Sequence, residues 1–309
     1  MSEIAVVMPT LGRPALVARV LDRLDRQTVP PEALQLVLVA DAQERGLAAL
    51  DRVAAGRPYE VLRLQAARPG ASAARNAGWR AASAPLVLFL DDDVLPEPQL
   101  VGEHLAWHRR EPAEAVGVLG RVRWADELEV TPFMRWLEHG IQFDYEAIDG
   151  VQAGWGRFYT ANASVKRQLL ERLGGFDEVE LPFGYEDLDL ALRAHHACGF
   201  RLLYNRAAAA EHLHEMDMAL WLRRVARIAR AERRFMELHP GFEPYFFNLF
   251  SRAAAAPPAK RSVARLAGVV PRSAPVIGRL VWGSANGVYL QTLAPAFLDA
   301  WHAAEDPGG

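Results

Sequence analysis

The chain has 309 residues, enough for two domains or for one large α/β unit with an appendage. Its 51% hydrophobic and 24% charged residues are typical of globular proteins and exclude disordered, collagen-like and coiled-coil chains. A formal net charge of −3 argues against nucleic acid as a partner. The single cysteine, Cys198, excludes an intramolecular disulfide. The first residues lack the basic and apolar regions of a signal peptide, so we expect a cytoplasmic protein.

Short apolar runs alternate with amphipathic segments through the first hundred residues. The apolar runs predict strands at Ile4–Met8, Leu34–Val39, Tyr59–Leu64 and Leu86–Leu90. Helical spacing of apolar residues predicts helices at Ala15–Asp25, Leu47–Ala55 and Ala71–Ala82. Strands without polar alternation belong to parallel sheets that are covered on both faces, and intervening helices indicate βαβ units. We therefore predict a doubly wound sheet of the nucleotide-binding kind.

The pattern is looser beyond residue 110. A strand is predicted at Val116–Trp124, helices at Lys166–Leu173 and Leu188–Cys198, and a further strand at Arg201–Tyr204. The character changes again near residue 215, where we place a domain boundary, and the remaining residues are mainly helical. The uncharged run from 280 to 298 contains polar residues, glycines and a proline, so it predicts a buried helix rather than a membrane span.

Three consecutive carboxylates, Asp91 to Asp93, follow the predicted strand Leu86–Leu90. Open α/β sheets bind ligands at the carboxyl ends of their strands, and this is such an end. Adjacent carboxylates repel one another unless a cation lies between them. A hard divalent ion, Mg²⁺ or Mn²⁺, is the natural partner. A solvated acidic turn or a helix N-terminus is the alternative.

Two further clusters admit a functional and a structural explanation. Glu186 and Asp187 open a predicted helix, where acidic residues complement the helix dipole, but one carboxylate could also act as a general base. Residues 211–214, which include His212, follow a predicted strand and could complete the shell of a metal ion. Histidines in such positions are also often structural.

Several nucleotide and hydrolase motifs are absent. No glycine-rich dinucleotide fingerprint follows the first strand, and the chain has no P-loop and no G-x-S-x-G elbow. These absences disfavour a dehydrogenase, a P-loop NTPase and an α/β-hydrolase.

Taken in chain order, the segments of residues 3–215 resemble the inverting glycosyltransferase family 2. The segments that carry the resemblance are Val6–Pro14, Leu36–Asp41, Arg68–Gly78, the D-x-D motif Asp91–Asp93, Asn162–Ser164, Gly174–Asp177 and the Glu-Asp pair Glu186-Asp187. The resemblance implies the GT-A fold, an α/β class with a Rossmann-like, mostly parallel sheet, flanking helices and a C-terminal helical extension. It also implies a catalytic domain over 1–215, with a nucleotide-binding half at 1–100 and an acceptor and donor-sugar half at 101–215, and an extension over 216–309.

The resemblance also implies roles for individual residues. Donor-binding residues would be Pro9, Thr10, Arg13, Asp41, Gly70, Arg75, Asn76, Asp91, Asp92 and Asn162. The metal ligands would be Asp93, Asp91 and His212, and the ion Mn²⁺ or Mg²⁺. Asp187 would be the catalytic base, and Glu186 would orient the acceptor.

The implied reaction is metal-dependent transfer of a sugar from a nucleotide-diphosphate sugar, with inversion, to a hydroxyl acceptor. The acceptor would be a glycan, a lipid-linked molecule or a small-molecule glycoside. Two alternatives from other classes stay open. A nucleotidyltransferase would need a triphosphate loop, for which Leu11–Pro14 is a weak candidate, and a sugar-nucleotide-binding protein would have no catalysis.

The predicted helix Leu220–Leu238 is rich in arginine. Its basic residues are Arg223, Arg224, Arg227, Arg230, Arg233 and Arg234. They indicate either a solvated face of a packing helix or contact with anionic lipid headgroups or a lipid-diphosphate acceptor. The second explanation would place the protein at the inner face of the membrane. The sequence also leaves open that the chain forms a homo-oligomer.

Overall fold

The computed structural model describes residues 2–303. Residues 2–128 and 144–214 form one compact unit, and residues 129–143 and 215–303 form a second. The larger part of the second unit starts at residue 215. The unit also includes residues 129–143, which the sequence analysis placed in the catalytic domain.

One mixed sheet forms the centre of the first unit. Its strands are β1 (Ile4–Thr10), β2 (Leu34–Ala40), β3 (Glu60–Gln65), β4 (Leu86–Leu90), β5 (Val94–Pro96), β6 (Val116–Trp124), β7 (Asn162–Lys166) and β8 (Arg201–His212). They are arranged in the order β3-β2-β1-β4-β7-β6-β8-β5. The half from β3 to β4 is parallel, as predicted. Beyond it, β7 is antiparallel to both neighbours, β6 and β8 are parallel, and β5 is antiparallel to β8.

Helices flank this sheet and build the second unit. In chain order they are α1 (Pro14–Leu24), α2 (Leu47–Ala54), α3 (Ala71–Ala81), α4 (Leu100–Arg110), α5 (Pro132–Leu137), α6 (Arg167–Leu173), α7 (Glu186–Cys198), α8 (Met218–Leu238), α9 (Tyr245–Ala255), α10 (Arg261–Ala264) and α11 (Ile277–Ala303). The predicted strands and helices of the first hundred residues are present, with small differences at their ends. Their apolar runs form the core, since every residue of β2 is buried.

The structure corrects two boundaries in the second half of this unit. Lys166 is the last residue of β7 rather than the first residue of a helix. Strand β8 does not stop at Tyr204 but continues to His212, because β6 pairs with it again after a register shift at Gly120. The run of alanines from 207 to 210 has little intrinsic strand preference, so tertiary pairing decides its conformation.

The second unit is helical and rich in aromatic contacts. The ring pairs Phe250–Phe297 and Phe247–Trp301 join α9 to α11. The buried Glu232 carboxylate of α8 accepts hydrogen bonds from two backbone N–H groups at the start of α9. Segment α5 belongs here because its Trp136 indole donates to Asn286 of α11 at 2.8 Å. Across residues 2–303, none of the helices combines the length and the apolar character that a membrane span needs.

Helix α3 lies so close to the sheet that it needs glycine at one position. A Cβ atom at Gly78 would meet Val7 Cγ1 at 2.3 Å and Val39 Cγ2 at 3.1 Å. We expect Gly78→Ala to destabilise the fold by about 1–3 kcal/mol, because a methyl group must displace buried side chains. The free energy of unfolding in urea measures the effect.

Gly102 of α4 is the matched control, because its added Cβ would have only ordinary contacts at 3.5 Å. There Gly102→Ala should be neutral or stabilising by up to about 1 kcal/mol, through helix propensity alone. Equal effects of the two substitutions would show that α3 does not press on the sheet at Gly78.

Candidate functional site

The end of β4 and the end of β8 bring three potential metal ligands together. The backbone N–H of Leu213 donates to the Asp93 carbonyl at 2.7 Å, and Val94 pairs with His212. The Asp93 carboxylate has His212 Nε2 3.5 Å from Oδ1 and His214 Nδ1 3.2 Å from Oδ2. One ligand atom from each side chain lies within 4.8 Å of the others. We call these three residues the Asp–His–His cluster.

The surroundings of the cluster keep the Asp93 carboxylate ionised. Burial alone would raise its pKa, but hydrogen bonds with His212 and His214 and the charge of Arg13 together hold the pKa well below its usual range. The Trp124 ring stacks on the His212 imidazole at a centroid distance of 5.3 Å, which fixes the plane of that ligand. The donor set is one carboxylate and two imidazoles, and it fits a divalent transition-metal ion.

The sequence analysis did not single out His214 as a candidate ligand, although a signal for it existed. Residues two apart on an extended chain point to the same side, so a histidine ligand at 212 places His214 beside it. The cluster does not include Asp91, whose carboxylate pairs with Arg75 at 3.0 Å. A role for Asp91 at the metal stays a prediction.

Asp92 joins the ends of β1 and β4. Its carboxylate accepts from the Thr10 hydroxyl at 2.6 Å and from the Arg13 guanidinium, which also binds Asp93 at 2.6 Å. Burial raises the pKa of Asp92 to about 7, with the Arg13 charge opposing the shift and Asp93 adding to it. Pro9 lies beside Thr10 near the end of β1. Thr10 and Arg13, two of the residues predicted to bind the sugar donor, therefore both bind Asp92 at one edge of the sheet.

Asp41, directly after β2, fixes the loop before α3. Its carboxylate accepts from the Gly70 backbone N–H at 2.8 Å and from that of Gln43 at 2.8 Å. Gly70 has a φ of +114°, and a Cβ there would lie 2.6 Å from the Pro182 carbonyl oxygen. Only glycine fits this approach.

A buried guanidinium joins the two acidic clusters that the sequence singled out. Arg75, on α3, donates to Asp91 Oδ1 at 3.0 Å and to Glu186 Oε1 at 2.8 Å. Arg75 and Glu186 are both buried. Arg75 therefore connects helix α3 both to the end of β4 and to the start of α7.

The turn before α7 is strained and presents Asp187. Gly184 and Tyr185 both have positive φ, of 84° and 64°, and the second is a rare conformation for a bulky residue. With Glu186 held by Arg75, the partly exposed Asp187 follows it. Burial and the adjacent Glu186 charge raise the pKa of Asp187 to about 7. Such a carboxylate can accept a proton near neutral pH.

Two of the residues predicted to bind the sugar donor are asparagines, and the amide groups of both already form hydrogen bonds within the protein. Asn76 donates to the Phe176 carbonyl and to Glu178, and accepts from the Trp79 indole and the Phe176 N–H. Asn162 donates to the carbonyls of Arg121 and Ala208. In the structure both asparagines hold neighbouring backbone in place, and their contact with the nucleotide-sugar donor stays a prediction.

A chain of side chains under the sheet ends on Asn162. We call it the relay: Lys166, His108, Ser164, His104 and Asn162, joined in that order at 3.1, 2.8, 2.8 and 2.9 Å. Because the Asn162 amide nitrogen donates to carbonyls, its oxygen must accept from Nε2 of His104. Nδ1 of His104 then accepts from the Ser164 hydroxyl, whose oxygen accepts from Nε2 of His108. Nδ1 of His108 is left to accept from Lys166, so every donor faces an acceptor.

Comparison with known proteins assigns the chain to a family. The sequence profile described as glycosyl transferase family 2 matches residues 5–213. That match covers most of the chain, including both acidic clusters and His212. The chain belongs to glycosyl transferase family 2.

Two validoxylamine A glucosyltransferases, from Streptomyces hygroscopicus subsp. limoneus and subsp. jinggangensis, are each 31% identical to the chain over 278 residues. These matches cover 79% of the chain, which spans only 58% and 63% of the length of those relatives.

Solved structures show the GT-A fold. The mannosyltransferase PcManGT from Pyrobaculum calidifontis, in complex with GDP-Man and Mn²⁺, aligns with 98% of this chain and 86% of its own (TM-score 0.64, 19% identity). TarS 1-349 from S. aureus in complex with UDP aligns with 98% of this chain and 91% of its own (TM-score 0.55, 14% identity). The predicted fold class and family are thereby confirmed.

The Asp–His–His cluster predicts a measurable metal affinity. We expect His214→Ala and Asp93→Asn each to raise the Kd for Mn²⁺ at least about tenfold, because each removes one ligand. Isothermal titration with Mn²⁺ measures it. The exposed His196 on α7 supplies the control His196→Ala, which should bind as the parent does. Unchanged affinity in both cluster variants would contradict the assignment.

The relay predicts loss of stability in acid. Burial lowers the pKa of His104 to about 4, and burial with the adjacent Lys166 lowers that of His108 to about 3. Below about pH 6.5 the unfolded chain therefore takes up protons that the folded chain does not, and stability falls until the pH reaches the folded values. Each histidine contributes on the order of 1 kcal/mol per pH unit.

The substitution His108→Gln removes one of these titrations. We expect it to make the decline of unfolding free energy between about pH 6.5 and 4.5 shallower by about 1 kcal/mol per pH unit, whatever its effect at neutral pH. Urea unfolding at a series of pH values measures the slope. His196→Gln should leave it unchanged, and an unaltered slope in His108→Gln would argue against a neutral, buried His108.

Proposed function

We propose that the chain is a metal-dependent, inverting glycosyltransferase that moves a sugar from a nucleotide-diphosphate sugar to a hydroxyl acceptor. One observation carries the proposal. A candidate metal cluster at Asp93 and a partly exposed carboxylate of raised pKa, Asp187, are connected by the Asp91–Arg75–Glu186 ion pairs. The names of the relatives and the nucleotide-bound neighbours support a nucleotide-sugar donor.

The donor is proposed to bind along the strand ends of the parallel half of the sheet. Pro9 and Thr10 are the last two residues of β1, and Arg13 follows this strand. Asp41, directly after β2, accepts from the Gly70 N–H just before α3. Ligands of open α/β sheets bind at this edge. Asp91, Asp92 and Asn162 complete the proposed set from β4 and β7, with Arg75 and Asn76 on α3.

The Asp–His–His cluster is proposed to hold a divalent ion. Such an ion would act as a Lewis acid and neutralise the charge that develops on the leaving diphosphate. Magnesium prefers oxygen ligands throughout, whereas imidazoles suit later divalent metals. Because the cluster has two imidazoles, and because the structural neighbour PcManGT is in complex with Mn²⁺, we propose Mn²⁺ in preference to Mg²⁺.

Asp187 is proposed as the base. Its carboxylate takes the proton of the acceptor hydroxyl while that oxygen forms a bond to the anomeric carbon, on the face opposite the diphosphate. The bond from the anomeric carbon to the diphosphate oxygen breaks in the same displacement, which inverts the configuration. A single displacement needs one base.

Glu186 is proposed to orient the acceptor. Its Oε1 is held by Arg75, while its buried Oε2 has no hydrogen-bond partner among the described residues. A buried carboxylate oxygen without a donor is costly, so it is suited to accept from an acceptor hydroxyl. A glycan, a lipid-linked molecule or a small-molecule glycoside could present that hydroxyl. Self-association, a cytoplasmic setting and peripheral membrane contact also remain proposals.

The decisive variant is Asp187→Asn. We expect transfer to fall by about 10²–10⁴-fold, because the amide cannot take the proton, while donor binding measured by calorimetry persists. Asp149→Asn, in an exposed loop, is the control and should keep full activity. A thermal-shift screen of nucleotide sugars with Mn²⁺ identifies the donor for these assays. Robust turnover by Asp187→Asn would refute the assignment.

The pH profile offers an independent check on Asp187. The base must be ionised, so kcat/KM should rise with pH and level off above a pKa of about 7. A profile that is flat from pH 5 to 8 would point to another base. Nucleotide transfer between sugar-1-phosphate and a nucleoside triphosphate would favour the nucleotidyltransferase alternative, and donor binding without transfer or hydrolysis the non-catalytic one.

A further inference from the structure

A short segment of the second unit exposes an unusual amount of aliphatic surface. We call residues 260–280 the basic–apolar segment; it comprises α10, the turn after it, a loop and the first turn of α11. The described residues include ten large hydrophobic side chains that are exposed, and half of them lie in this segment. These five are Leu266 (45%), Val269 (79%), Val276 (71%), Ile277 (53%) and Leu280 (64%).

An ordered scaffold presents these side chains. Ala264 and Ala267 are buried beneath α10 and the turn, and Val281 and Trp282 are buried on the inner face of α11. The Trp282 indole donates to the Val270 carbonyl at 3.0 Å and fixes the loop. The exposed apolar side chains therefore project from a backbone that buried contacts and this hydrogen bond keep in place.

The backbone at the loop's end is itself unusual. Val276 has a φ of +52°, which a β-branched residue rarely adopts, and its side chain is largely exposed. Strain of this kind persists where the surrounding structure imposes it, and it is frequent at binding sites.

The charge around the segment has one sign. Between Glu243 and Asp299 the sequence contains no acidic residue, and its cations are Arg252, Lys260, Arg261, Arg265, Arg272 and Arg279. All six are exposed. This local excess is opposite to the net charge of the whole chain, which is −3.

We infer that the basic–apolar segment docks on the surface of a bilayer that contains anionic lipid. Aliphatic side chains interleaved with cations match such a surface, since the apolar groups enter the headgroup boundary while guanidinium and ammonium groups contact phosphates. Long basic side chains can keep their charge in the headgroup layer while their stems lie on apolar surface. The exposed apolar groups are all aliphatic, unlike the aromatic platforms that stack nucleic-acid bases.

The arginine-rich helix α8 fits a membrane less well. Its apolar side chains, among them Trp221, Val225 and Phe235, are buried within the protein and cannot insert. Arg233 and Arg234 pair with Glu237. Helix α8 therefore offers charge without apolar anchors, which makes it the matched control.

Vesicle co-sedimentation of the full chain tests the inference. We expect binding to phosphatidylcholine vesicles with about one quarter phosphatidylglycerol, and much weaker binding to phosphatidylcholine alone. The pair Val269→Ser and Leu280→Ser, and separately the pair Arg265→Glu and Arg272→Glu, should each weaken binding at least about tenfold. Arg223→Glu with Arg230→Glu changes the net charge equally on α8 and should weaken it less than about threefold. Thermal melting verifies that every variant is folded.

Three outcomes would overturn the inference. The first is a parent chain that binds neither kind of vesicle. The second is equal loss from the α8 pair and the Arg265/Arg272 pair, which would reflect overall charge. The third is concentration-dependent self-association, or oligonucleotide binding, that the segment variants abolish while vesicle binding stays unchanged.

Discussion

The buried ion pairs of Arg75 are the interaction on which the candidate site depends. A guanidinium taken out of water is tolerated only where carboxylates and hydrogen bonds compensate for its lost hydration. Here the compensation comes from Asp91, after β4, and from Glu186, at the start of α7. The pairing therefore fixes the distance between the strand end that carries Asp93 and the helix that carries Asp187. A proposed metal site and a proposed base share one cation that belongs to neither.

Carboxylates of one chemical type acquire different proton affinities in this site because their neighbours differ. Asp93 faces two imidazoles and Arg13, and it stays ionised. Asp92, one residue earlier, is buried beside the Asp93 charge, and its pKa rises to about 7. Asp187 is desolvated beside Glu186, which raises its pKa as well. Environments that separate proton affinities in this way let one site hold a cation and move a proton at the same pH.

The sequence predicted most where structure is local. Continuous apolar runs revealed β1 to β4, and the order of the aspartates indicated the strand end that carries the candidate site. The sequence did not predict contacts between segments that are distant along the chain. The alanines of β8 become a strand only through pairing with β6, and this pairing places His212 on the sheet. The Asn76 amide donates its hydrogen bonds to Phe176 and Glu178, which lie in a loop a hundred residues away along the chain. Residues 129–143 join the second unit through α11, which no local pattern indicates.

The relay under the sheet has a direction, and that direction limits how the chain can change. Each hydrogen bond from Lys166 to Asn162 runs the same way, so each of the three inner side chains must accept on one side and donate on the other. A substitution in the middle leaves an unmatched partner on one side unless a second position changes with it. The five positions are thus expected to behave as one inherited unit, in which compensated double replacements are tolerated better than the single ones that compose them.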